Sequence, residues 1–175
     1  ALTTAQIAAL DAGQTMALKT DQVVALSSAQ IAALTTAQFR ALSASQLQTL
    51  STQQIAALTT AQIAALDAGQ AIVLKTDQVV ALSTAQIKAL STAAIAALRA
   101  EQISAIETRD IAALSTAQVK ALTAAQLAAM TPAQVLALPT VKTSSANTTQ
   151  TTVLPTTQVT SAVTSMTTAQ IAQLS

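Results

Sequence analysis

The 175-residue chain has no cysteine, histidine, tyrosine or tryptophan, one phenylalanine, two glycines and three prolines. Without cysteine there is no disulfide framework and no thiol chemistry. Without histidine and cysteine the usual metal ligands and most nucleophile–base pairs are missing. Charge is also sparse: eight basic residues oppose seven acidic ones, a net charge of +1. That lacks the basic footprint of a nucleic-acid binder, and a single aromatic, Phe39, leaves almost nothing to stack on bases. No apolar run approaches the roughly 18 residues that cross a bilayer, because Thr, Ser and Gln interrupt it throughout.

What is present is one phrase. Every eighth residue from Leu2 to Leu138 is leucine, with Ile106 and Met130 as the two substitutes. Between them runs L-[S/T]-x-A-Q-[I/V]-x-A, seventeen times without a gap; Leu2 to Ala9 is repeated letter for letter from Leu58 to Ala65. A fixed period without catalytic residues describes a scaffold before an enzyme. Bulk comes only from one Leu and one Ile or Val per octad, so the core must be long and thin.

A continuous helix does not fit. Eight residues overshoot two turns by roughly 80°, so the Leu stripe would wind around the rod within about five octads. The helix must break in each repeat. Ser, Thr or Asp fills position two in thirteen of seventeen octads, and Gln stands three residues later in fifteen. That is a capping box, and Leu before the cap with Ile or Val four after it is a hydrophobic staple. Leu2, Thr3, Gln6 and Ile7 thus spell a helix start, and Pro132 falls at a first helical position, where its missing N–H costs nothing. The spacing predicts an all-α solenoid of very short capped helices over residues 1–138, one per octad, with Leu, Ile and the final Ala buried. Helices of this length are unstable alone, so stability is expected to be collective. A β-solenoid with Gln ladders is the alternative, since Thr, Ile and Val favour strands. Against it stand the Ala content, the lack of alternation and only two glycines, Gly13 and Gly69, for all its corners.

A larger period overlies the octad. Residues 2–57 and 58–113 match at 38 of 56 positions, a duplicated block of seven octads. Asp11-Ala12-Gly13-Gln14 returns as Asp67-Ala68-Gly69-Gln70, and Lys19-Thr20-Asp21-Gln22 as Lys75-Thr76-Asp77-Gln78. This is either recent duplication without selection on those letters or a surface feature shown every seven helices. After Leu138, residues 139–165 form a Thr/Ser-rich linker or capping segment, and 166–175 restart the phrase out of phase. The chain opens on the last letter of an octad, Ala1, without an initiating Met or signal peptide, and closes on the second letter of another, Ser175. It reads as a piece of a longer array.

No catalytic, cofactor-binding or metal-binding residue is identified, and an enzyme is not expected. Asp11 and Asp67 fall at caps, and Asp21, Asp77 and Glu101 early in helices, where the helix dipole favours negative charge. Glu107, Arg109 and Asp110 read as a solvated face or local ion pair, and Met16, Met130 and Met166 as core. Thr3, Thr35 and Thr59, or Thr4, Thr36 and Thr60, would form hydroxyl rows if octads stacked in register; such rows would suit ice or a crystalline polysaccharide.

The tandem phrase Leu-Thr-Thr-Ala-Gln-Ile-Ala-Ala-Leu resembles tracts of very large secreted bacterial surface proteins, often described as adhesins or haem-utilisation proteins. The resemblance covers residues 2–138 and implies export and a cell-surface or matrix location. Haem binding does not follow, because His and Tyr are missing. The expectation is a structural segment of an extracellular stalk or self-assembling filament, its partner another copy joined end to end or laterally. The alternative is a binding module presenting Thr-rich rows to a glycan, ice or protein. No nucleic acid, membrane insertion or cofactor is expected.

Overall fold

The computed structural model describes residues 3–139, 141–142 and 151–152. One short helix occupies each octad: α1 Thr4–Ala8, α2 Ala12–Met16, α3 Thr20–Val24, α4 Ser28–Ala33, α5 Thr36–Arg40, α6 Ala44–Thr49, α7 Thr52–Ala56, α8 Thr60–Ala64, α9 Ala68–Val73, α10 Thr76–Val80, α11 Thr84–Ala89, α12 Thr92–Ala97, α13 Ala100–Ala105, α14 Thr108–Ile111, α15 Thr116–Ala121, α16 Ala124–Ala129 and α17 Pro132–Ala137. A two-residue antiparallel pair follows, β1 Val141–Lys142 with β2 Thr151–Thr152. The helical solenoid is therefore the fold, and the β-solenoid is not. Apart from Pro139 and these two strands, the expected linker and restarted repeat lie outside the described residues.

Each helix starts as its letters dictate. In α8, Thr59 Oγ1 accepts from the Gln62 N–H at 3.2 Å, and Gln62 Oε1 accepts from the Thr59 N–H at 2.8 Å. Each helix then stops without a left-handed residue. The Leu66 N–H donates three residues back to the Ile63 carbonyl at 3.2 Å, tightening the last turn. The corner itself is two extended residues, for example Leu34 (φ −59°, ψ 134°) and the cap Thr35 (φ −65°, ψ 160°). Because no corner of this kind needs a positive φ, the sixteen corners between the helices are built without glycine. Pro132 opens α17 as its sequence position requires.

Packing follows a fixed rule: every helix from α1 to α14 packs on the helix three positions further along. Hydrogen bonds between successive turns span 25 to 31 residues, as in Gln48 to Val73 (25), Gln62 to Leu34 (28) and Gln62 to Ile31 (31). One superhelical turn is therefore about 28 residues, or three and a half octads. Half an octad of offset between turns brings position five of one octad against position one of another. Two turns make 56 residues, the length of the duplicated block.

Leu at position one and Ile or Val at position six form one continuous core from Ile7 to Leu138. Phe39 is fully buried in it. The final Ala is only half-buried through most of the array, and the place expected for it is taken by Gln at position five. Two further expectations are corrected. Met130 is core, but Met16 is 61% exposed, because Thr15 occupies the core position before it and bonds back to the Asp11 carbonyl at 2.9 Å. Asp110 is not on a solvated face but 3% exposed. Met166 lies outside the described residues.

Candidate functional site

The most developed polar constellation is the repeated glutamine. Gln62 illustrates it: its Oε1 closes the cap of its own helix, while its Nε2 donates to the carbonyls of Ile31 and Leu34, one turn earlier, at 2.9 and 2.8 Å. The partners settle the amide's orientation, since an N–H only donates and a carbonyl only accepts. Each such Gln caps one helix and ties down the end of the helix four positions before it. Gln46 reaches Leu18, Gln86 reaches Leu58 and Gln126 reaches Leu98 in the same way. The burial of these amides is therefore compensated. From Gln38 to Gln134 each is at most 7% exposed.

The sequence carried a signal of this second role. Lys19, Lys75 and Arg99 stand at cap positions but are donors only, so they cannot accept the N3 amide. Their helices nevertheless keep Gln22, Gln78 and Gln102, which still accept the cap N–H. Gln78 and Gln102 also reach Leu50 and Leu74 one turn back. A glutamine retained where half its capping box is lost must answer to something else.

Two octads depart from the rule. Ala94 is fully buried where the clamp to Ile63 and Leu66 would stand. Asp110 replaces the clamp to the end of α10; a carboxylate cannot donate to carbonyls, and it accepts instead from Thr84 Oγ1 of α11. Of its charged neighbours, Glu107 pairs with Arg109 at 2.9 Å on the surface, and Arg109 Nε lies 3.8 Å from Asp110. Exposed pairs of this kind contribute little. Asp11 and Asp67 cap α2 and α9, while Asp21, Asp77 and Glu101 sit in first turns. Among the described residues no three carboxylates gather in a way that holds a metal ion.

Adjacent turns do not bring the threonines into register, and those seven octads apart, such as Thr3 and Thr59 or Thr4 and Thr60, share a side of the rod two turns apart. Thr3, Thr35 and Thr59 are caps whose hydroxyls already accept an amide N–H. A turn of about 28 residues is not a multiple of eight, so equivalent positions in adjacent turns stagger by half an octad.

The ALTTAQ repeat family model matches residues 1–28, 16–44, 31–74, 71–105 and 103–140. The chain belongs to the ALTTAQ repeat family. Those matches span the whole helical array, so the repeat is the protein's identity over that length. Comparison with curated proteins and with solved structures finds no match. No described helix of this ALTTAQ repeat protein is long and apolar enough to cross a membrane.

Proposed function

We propose that this ALTTAQ array is a structural element of an extracellular stalk or self-assembling filament, and that it catalyses nothing. The observation that supports this most directly is the clamp, which from Gln38 onward ties each turn to carbonyls of the turn before and lets the array grow by repetition. Gln6, Gln14 and Gln22 cap their own helices and are exposed. Further along, the same side chain is buried against carbonyls one turn earlier. This face is complementary to the carbonyl-bearing end of the same repeat. A run of octads from the same polypeptide or from another copy therefore extends the core without new chemistry. A head-to-tail contact of that kind propagates instead of closing.

Negative-stain electron microscopy of the purified chain tests the filament. Expected are uniform filaments that lengthen with concentration, and single short rods for Gln6→Glu/Gln14→Glu. That variant keeps the cap-accepting oxygen and loses the donor. Short rods for the unaltered chain at every concentration reject self-assembly. The extracellular placement rests on the resemblance to secreted surface proteins. Labelling of intact cells that make the protein tests it, and signal only after lysis rejects it.

A further inference from the structure

Five large hydrophobic side chains are exposed among the described residues: Met16, Val24, Ile72, Val80 and Leu136, at 44–71%. All stand at octad position seven, and all fall in two series seven octads apart. Met16 and Ile72 form one series; Val24, Val80 and Leu136 form the other. Since seven octads equal two turns of about 28 residues, members of a series lie on one side of the rod, two turns apart. Elsewhere position seven is mostly Ala, with cations Arg40, Lys88 and Lys120, none of them in an equivalent octad. Each series is an apolar row along the rod, and the two rows stand eight of about 28 residues, a little over a quarter turn, apart.

We propose that the side bearing Val24, Val80 and Leu136 is a lateral interface for a second copy of the chain. It resembles neither lipid-binding nor random exposure, because the Val24 and Val80 patches carry their own pairing charges, while the octad of Leu136 carries none. Asp21 lies one helical turn from Val24 and Asp77 one turn from Val80, so each acid flanks its exposed valine. Lys19 and Lys75 stand at the cap positions of the same two helices. The Val24 and Val80 patches thus each offer one cation and one anion beside an apolar centre, which is self-complementary across a two-fold axis. Asp11 and Asp67 add further carboxylates on the neighbouring helices, which disfavours an anionic membrane. One patch alone is small. Patches at a fixed 56-residue spacing add their contacts only against a surface of the same spacing, and another copy supplies it. The duplicated block then has a physical meaning: it is the unit that keeps a surface in phase with the superhelix.

The interface is independent of end-to-end joining, and mass per unit length separates the two. Dark-field scanning transmission electron microscopy of the full chain is expected to give twice the single-rod mass per length above a threshold concentration. Gln6→Glu/Gln14→Glu alters length and leaves that doubling. Val24→Lys/Val80→Lys is expected to return the single-rod value with unchanged circular dichroism, since Lys88 and Lys120 show that position seven accepts lysine. Ala64→Lys/Ala96→Lys, on other sides of the rod, is expected to leave the doubling intact. A single-rod value for the unaltered chain at all concentrations overturns the proposal. So does equal disruption by both lysine pairs, or single rods that bind vesicles through this side.

Discussion

The side-chain amide of Gln62 donates to the carbonyl of Ile31, 31 residues earlier, at 2.9 Å. A long-range bond of this type recurs from Gln38 to Gln134 and ties each turn of the solenoid to the one before.

Gln62→Glu separates the two roles of the clamp. It keeps the oxygen that accepts the Thr59 N–H, loses the donor, and turns a buried carboxylate toward two carbonyls. The expected cost at neutral pH is about 3–5 kcal/mol in urea unfolding, against within about 0.5 kcal/mol for Gln14→Glu in the exposed first turn. Burial raises the folded-state pKa of the new carboxyl above its unfolded value of about 4.3. The penalty is therefore fully present above the folded-state pKa and falls away as pH drops toward 4. A Gln62→Glu chain as stable as the parent at pH 7 contradicts the clamp.

Ala94→Gln restores the missing clamp. The new amide meets the Ser91 N–H and the Ile63 and Leu66 carbonyls. The expected gain is about 0.5–1.5 kcal/mol in the same measurement. A loss of stability means that the turns have closed around the alanine.

Much of the architecture was legible because local rules and the period agree. Leu, cap, Gln and Ile each say where a helix starts, and the overshoot of a continuous helix says that it must stop. The superhelical turn was not legible, since an octad alone does not say how many helices close a turn. The half-octad offset that puts Gln62 against Leu34 is a tertiary fact. For the same reason Gln read as a cap and not as core. Asp110 looked solvated because its partner, Thr84, is 26 residues away. Met16 looked like core because size alone was weighed. Its octad places Thr15 in the core position and leaves the methionine outside.

Met16 and Met130 accordingly answer differently to truncation. Met130→Ala is expected to cost about 2–5 kcal/mol, the range for a buried methionine. Met16→Ala is expected to stay within about 0.5 kcal/mol. Thermal unfolding below the association threshold compares them, and equal losses contradict the burial pattern.

Lys75→Ser supplies a cap acceptor that α10 lacks. The serine oxygen can take the Gln78 N–H while Gln78 Oε1 keeps its bond to the cap N–H, now at 2.9 Å. Stabilisation of about 1 kcal/mol is expected. No change in urea midpoint removes the cap from the account of this helix.

The 28-residue turn is the central claim, and nuclear Overhauser contacts from the Gln62 side-chain amide protons test it most directly. Expected are strong contacts to Ile31 and Leu34, with slow amide exchange at Gln62 and fast exchange at Gln14. Contacts instead to residues about 24 positions back, around Gln38, or equally fast exchange at both glutamines, would contradict the half-octad stagger and with it the solenoid described here.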